Sequence, residues 1–263
     1  MVVMRDFYDE LADDYHLMFR DWDVSMEYQA SVLAAVIETG TKGSVRRVLD
    51  CSCGIGTQAI GLARVGGAGP SSLVGATVIG TDLSPRAAAR AAREAAARGV
   101  GLPAAAADMR ALPFGDGSFD VVLSADNSVP HLLTPDALGA GLSEMHRVLR
   151  PGGLLVLTVR DYDKIRAERP ASTPPQVSEH EVGRVIAFQL WHWHPDGERY
   201  DLEHFQLAPT AADAWDVRVR RATYWALTRT QLTDSATTVG FHDLAWIEPS
   251  ESGYYQPILT GRR

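Results

Sequence analysis

Short apolar runs alternate with longer amphipathic stretches from Val45 onward. Val48 and Leu49 close on Asp50, pass into a turn holding Gly54 and Gly56, and give way to helical spacing over residues 57–65. Thr77–Asp82 reads as a second strand, residues 103–107 as a weak third, 119–125 as a buried fourth and 154–159 as a fifth. A helix after Asp82 has Ser84 as its N-cap, Pro85 at its first position and Gly99 at its end; another spans 135–149. Such strand–helix alternation predicts a doubly wound, mostly parallel α/β sheet with its ligand crevice at the carboxyl ends of the strands.

The pattern changes after residue 165. Residues 166–179, rich in Pro, Ser and Thr, read as a linker. Residues 184–194, 199–207 and 214–226 then read as three strands, the first with a clear alternation of Val185, Ala187, Gln189, Trp191 and Trp193 against Ile186, Phe188, Leu190, His192 and His194. They read as an inserted antiparallel β layer. A helix over 230–239, ended by Gly240, returns to the main sheet, and residues 241–247 and 256–260 complete seven strands. The expected division is an N-terminal helical segment (1–44), an α/β core (45–165 and 228–263) and the insertion (166–227). The N-terminal helices, over 7–19 and 25–39, serve either as plain cover for the sheet or as a lid carrying Tyr8, Tyr15 and Trp22.

Chemistry is expected first at the glycine turn. Glycines there let backbone approach a ligand closely, and Asp82 at the next strand end suits both hydroxyls of a ribose, so a nucleoside-containing cofactor is expected. The order Asp50-x-Ser52-x-Gly54-x-Gly56 lacks the third glycine of a dinucleotide fingerprint, and no G-x-x-x-x-G-K-[ST] loop occurs. Asp108 is either an acid that opens a loop or an acceptor for an adenine amino group, with Met109 against the ring. Polar clusters follow two further strand ends: Asp126, Asn127 and His131 after one, Arg160 to Asp163 after the other.

Composition narrows the partners. A net charge of −8 disfavours a nucleic-acid groove, which needs a basic face. Hydrophobic content of 46% with 22% charged residues fits a soluble globular chain, and no apolar run approaches the roughly 20 residues of a membrane span. The amino terminus turns acidic before a signal-like apolar core forms, so a cytoplasmic location is expected. Cys51 and Cys53 are too close for an unstrained disulfide and read as small packing residues. His192 and His194 share a strand face but have no third ligand at telling spacing, so no metal is expected.

The stretch from Asp50 to Gly56 resembles motif I of class I S-adenosylmethionine methyltransferases, acid-x-Gly-x-Gly-x-Gly, with Ser52 in place of the first glycine. The Leu-Arg-Pro-Gly-Gly turn at 149–153 is similar to theirs. More narrowly, the chain resembles glycine and glycine/sarcosine N-methyltransferases over nearly its whole length, through Asn127-Ser128 with His131, through Arg160-x-Tyr162-Asp163, and through the place of the insertion. The resemblance implies S-adenosylmethionine as cofactor, held by Tyr15, Trp22, Asp50, Ser52, Gly54, Gly56, Asp82, Leu83, Asp108, Met109 and Ala125. It implies a Rossmann-like seven-stranded core and a lid role for the N-terminal helices. It makes Arg160 a clamp for a substrate carboxylate, aided by Asn127, with His131, Tyr224 and Tyr255 as further positioning residues. A salt bridge from Arg160 to Asp126 or Asp163 is the competing reading of that arginine. Asp126 is suited to a cationic acceptor. The expected activity is N-methylation of a small amino acid-like or natural-product amine. An O-methyltransferase with His131 as base and a non-catalytic cofactor sensor are the alternatives.

Overall fold

The computed structural model describes residues 2–67, 72–210 and 214–263. A seven-stranded sheet is built from β1 (Arg47–Asp50), β2 (Thr77–Asp82), β3 (Ala104–Ala106), β4 (Phe119–Ser124), β5 (Leu149–Thr158), β10 (His242–Ile247) and β11 (Ile258–Arg262), in the order β10-β11-β5-β4-β1-β2-β3. β11 pairs antiparallel with both β10 and β5, and the other pairings of this sheet are parallel. Between them lie α3 (Thr57–Gly67), α4 (Pro85–Ala97), α5 (Pro135–Val148) and α7 (Arg229–Val239).

Period-two alternation divides the apolar runs between two cores. Val48, Val121, Leu123, Leu154 and Val156 pack on one side with Ile60 and Ala91 of α3 and α4, and with Met26 and Leu33 of α2 (Trp22–Gly40). Leu49, Val122, Leu155 and Leu157 face the other side, with Leu138 and Leu142 of α5 and Leu232 of α7. This sandwich is the doubly wound fold expected. Chain order reverses across the sheet at β1 and β4, so the crevice opens at their carboxyl ends.

A second, four-stranded antiparallel sheet comprises β6 (Gln176–His180), β7 (Gly183–Trp193), β8 (Arg199–Pro209) and β9 (Trp215–Trp225). Its inward positions Trp191, Tyr200, Leu202, Ala222 and Tyr224 pack with Phe7 and Leu11 of α1 (Val2–Leu11). The stretch expected as a linker is largely structured: α6 (Tyr162–Glu168) is capped by Asp161, whose Oδ1 accepts from Lys164 N, and β6 pairs with β7. Residues 7–19 are not one helix. α1 stops at Leu11, and a separate 3-10 turn spans Tyr15–Met18.

Candidate active site

The glycine turn is held by the acid of the neighbouring strand. Asp82 Oδ2 accepts from Gly54 N at 2.8 Å and its Oδ1 accepts from Ser84 N at 2.8 Å. Each oxygen keeps a further lone pair. Burial pushes this carboxyl up to about 6. Gly54 has φ +52°, and a Cβ on it would lie 3.2 Å from the Tyr15 ring; a Cβ on Gly56 would meet Ile60 at 2.7 Å. Asp50, 1% exposed, accepts from Ser52 N through Oδ1, while its buried Oδ2 has no hydrogen-bond partner among the described residues. Burial carries the Asp50 carboxyl to about 7.

Beyond this turn lies a cleft of about 340 Å³ whose walls include Tyr8, Tyr15, Ser52, Gly54, Asp82, Leu83, Asp108, Met109 and His131. Asp50 and Gly56 sit behind it, and Ala125 is buried past the end of β4. Trp22 does not belong to the cleft. Its indole donates to Thr57 Oγ1 at 2.9 Å, is flanked by the guanidinium groups of Arg90 and Arg98, and packs in the core behind α3. Asp108 is paired: Arg110 donates to both its oxygens, Nε at 3.0 Å and Nη2 at 2.5 Å, and holds the carboxyl below its ordinary range.

The second polar cluster lies where β4 and β5 end. Asp126 and Asn127 are consecutive non-glycine residues at φ 57° and 67°, a conformation costing about 1–3 kcal/mol each and tolerated where surroundings over-determine it. Here the surroundings are explicit. Asp126 N donates to Thr158 Oγ1 at 2.8 Å, and Asn127 N donates to Thr158 O at 3.1 Å. The Asn127 carboxamide accepts from Arg160 N at 3.1 Å and donates to the Tyr162 hydroxyl at 2.9 Å. Asn127 thereby orients the Arg160 backbone.

Arg160 projects toward β7 and β8. Nη1 donates to the Tyr200 hydroxyl at 3.1 Å and Nη2 to Gln189 Oε1 at 3.4 Å, with the guanidinium 5.0 Å from the Trp191 ring centre and 5.7 Å from that of Tyr224. All these partners are uncharged. The salt bridges weighed for this arginine do not form: Asp163 lies against Arg229, and Asp126 accepts from Tyr255 at 2.8 Å and Gln256 at 3.4 Å. Burial raises the Asp126 carboxyl, with Tyr255 and Arg160 opposing. Arg160, Asp126 and Tyr255 open on a cavity of about 630 Å³, and Tyr15 lines both this cavity and the cleft.

His131 is engaged at both nitrogens. Nδ1 faces Thr223 O at 3.4 Å, which requires the proton there, so Nε2 accepts from the Tyr8 hydroxyl at 2.7 Å. Burial drives its pKa down to about 3, and the Tyr224 ring lies tilted against it, centroids 4.1 Å apart. It has no lone pair free for a substrate proton. Tyr8 thus ties α1 across the cleft. Further ties run from Ser84 to Asp9 at 2.5 Å, Arg90 to Ala12 O at 2.6 Å, and Arg220 to Asp14 at 2.6 Å. His192 and His194 face Glu203 and Asp201 separately, and among the described residues no group of three ligands could hold a metal.

Gln189, Tyr200, His204 and Gln256 were not singled out by sequence reasoning. Gln189, Tyr200 and His204 occupy inward positions of β7 and β8, and only cross-strand register brings them to Arg160.

Residues 48–153 match the family described as "Methyltransferase domain". An uncharacterized protein of Mycobacterium tuberculosis is 34% identical over 142 residues, 54% of this chain and 45% of that protein. A glycine/sarcosine N-methyltransferase of Parasynechococcus marenigrum is 28% identical over 162 residues, 61% of this chain and 53% of that one. The chain spans about half the length of these curated relatives. Among solved structures, Streptomyces venezuelae DesVI superposes with a TM-score of 0.75 at 20% identity, covering 95% of this chain and 96% of DesVI. S-adenosylmethionine-bound CalS10 of Micromonospora echinaspora, an amino pentose methyltransferase, superposes at 0.70 with 22% identity, covering 91% and 92%. Among the described residues no helix is long and apolar enough to cross a membrane. The matched stretch 48–153, its glycine turn held by Asp82 and the seven-stranded sheet give this chain the fold of the class I S-adenosylmethionine-dependent methyltransferases.

Proposed function

We propose that this chain methylates the nitrogen of a small molecule bearing both an amine and an anionic group. The observation carrying this reading is the pair Arg160 and Asp126. They line one cavity, opposite in charge, and each is bonded to neutral side chains rather than to the other. A guanidinium without a carboxylate partner suits an incoming carboxylate or phosphate, and the buried acid suits an ammonium.

The cleft fits the cofactor. Asp82 retains lone pairs for ribose hydroxyls, Leu83 and Met109 give apolar surface for the base, and the orphaned Asp50 Oδ2 is a carboxyl oxygen that a cationic amino group would complete and hold ionised. When bound, S-adenosylmethionine supplies a methyl group activated by its sulfonium. The protein's share is alignment and exclusion of water. Arg160 anchors the acceptor's anionic end, Asp126 receives the proton that the amine must lose, and Tyr15 stands at the junction of cleft and cavity. α1 and the 3-10 turn serve as lid, and residues 166–227 as the substrate cap. The oxygen-acceptor alternative relied on His131 as base; both ring nitrogens of that histidine are committed.

Transfer from labelled S-adenosylmethionine to amines with and without a carboxylate or phosphate tests the reading, with mass spectrometry locating the added carbon. Arg160→Gln should raise KM for anionic acceptors by about 10- to 100-fold, the worth of one charge-assisted hydrogen-bonding group. An unchanged KM, or an equal rise for uncharged amines, would remove Arg160 from substrate binding.

A further inference from the structure

We infer that His204 reads a hydroxyl group of the acceptor, so that the acceptor is a hydroxylated amine carrying an anionic group, of amino-sugar size, rather than a simple amino acid. The inference rests on the N-methylation reading and extends it.

His204 is 2% exposed, and both Nδ1 and Nε2 lack any hydrogen-bond partner among the described residues. A buried imidazole with both nitrogens unpaired is rare in a folded core, where polar atoms find partners. It lines the 630 Å³ cavity, and also the constriction of about 50 Å³ shared with Asp126, Asn127, Arg160 and Tyr224. Its cross-strand neighbours are Gln189 and Arg220, and both bond elsewhere. Gln189 Oε1 accepts from Arg160 and Trp191; Arg220 donates to Gln206 and Asp14. Among the described residues none is placed to satisfy His204, which faces the cavity assigned above to the acceptor.

The chemistry selects the occupant. Burial first, then the charges of Arg220 and Arg160, lowers the His204 pKa to about 4, so the ring is neutral in a neutral solution. A neutral imidazole offers one N–H and one lone pair. In the N-methylation reading the ammonium and anionic ends of the acceptor are engaged by Asp126 and Arg160, so the group left to face His204 is neutral, and a hydroxyl can either accept from its N–H or donate to its lone pair. The same low basicity disqualifies His204 as the base that deprotonates an ammonium. The cavity volume exceeds what alanine or glycine would fill and lies in the range that encloses a sugar-sized ligand.

The test uses matched probes: glucosamine 6-phosphate and serine against 2-aminoethylphosphonate and alanine. Calorimetric affinities are measured with S-adenosylhomocysteine bound, and initial rates with labelled S-adenosylmethionine. His204→Phe removes both nitrogens and keeps the ring volume; His204→Gln restores one donor and one acceptor. The wild-type protein should prefer glucosamine 6-phosphate over 2-aminoethylphosphonate about tenfold, the effect of one buried hydrogen-bonding group, and a preference shown for serine over alanine alone would overturn the size assignment. His204→Phe should erase that preference without altering S-adenosylhomocysteine affinity, and His204→Gln should recover part of it. Nitrogen methylation without any hydroxyl preference, a preference surviving in His204→Phe, or no binding of either hydroxylated probe would overturn the inference while leaving the N-methylation reading. Methyl found on a hydroxyl oxygen would overturn both.

Discussion

Asp82→Asn separates cofactor binding from stability, because the buried carboxylate serves one at the expense of the other. Burial lifts this carboxyl from 3.8 to about 6 even though two backbone N–H groups bind it. The folded protein therefore holds the proton more tightly than the unfolded chain. The stability this contributes is fully present below about pH 4 and is lost as pH rises through 6. The difference between 3.8 and about 6 corresponds to about 3 kcal/mol at neutral pH. Asparagine avoids that penalty but turns its NH2 toward Gly54 N or Ser84 N, losing one buried hydrogen bond at about 1–3 kcal/mol. The terms nearly cancel, so near pH 7 the variant should melt at or slightly above the wild-type temperature, and near pH 4 below it. Cofactor affinity should fall about 10- to 100-fold, because a charged acceptor for ribose hydroxyls becomes neutral. Calorimetric melting from about pH 4 to 8 and titration with S-adenosylhomocysteine measure both sides. A melting temperature lowered by many degrees near pH 7, or an unchanged Kd, would refute the reasoning. Asp50, lifted to about 7 by burial, should preserve some of the same pH slope in the variant.

Two further outcomes follow from the local geometry. Tyr8→Phe removes the donor to His131 Nε2 and should loosen α1 by about 1 kcal/mol, read as faster amide exchange confined to α1 and its contacts; unchanged exchange would discard the tie. Gly54→Ala places a methyl 3.2 Å from the Tyr15 ring at φ +52° and should weaken S-adenosylhomocysteine binding while costing about 1 kcal/mol in stability; wild-type affinity would show that Tyr15 moves freely.

What the sequence made legible is what depends on near neighbours. Apolar runs marked the strands of the main sheet, Ser84 and Pro85 marked the start of α4, and the spacing from the glycine turn to Asp82 located the cleft. The sequence underestimated elements whose residues are polar because they lie at an edge. β6, with Gln176, Ser178, Glu179 and His180, is an exposed edge strand held by its pairing with β7, and carries little apolar signal. β5 begins at Leu149 rather than Leu154 because the Arg-Pro-Gly-Gly stretch stays in the strand across a register shift opposite β4. Trp22 looked like a lid residue, yet its indole finds Thr57 and two arginines on the far side of α3. No local pattern announces a partner 35 residues away.

The candidate site divides along the same line. Arg160 and Asp126 were visible because they follow apolar strands, where this architecture exposes polar groups. Their working environment was not, because it is assembled across the insertion: Tyr200, Gln189 and His204 reach Arg160 only when β7 and β8 pair in register. The left-handed Asp126-Asn127 step also depends on a distant partner, Thr158, without which the backbone would relax to an extended form. On the proposed reading the core positions the cofactor through short-range rules while cross-strand register sets the acceptor, so variation at inward positions of β7 to β9 should change the substrate without disturbing the glycine turn. The fold class was therefore readable from one strand and its turn. On the proposed reading the acceptor is recognised by pairs such as Gln189 with His204, which a one-dimensional pattern does not connect.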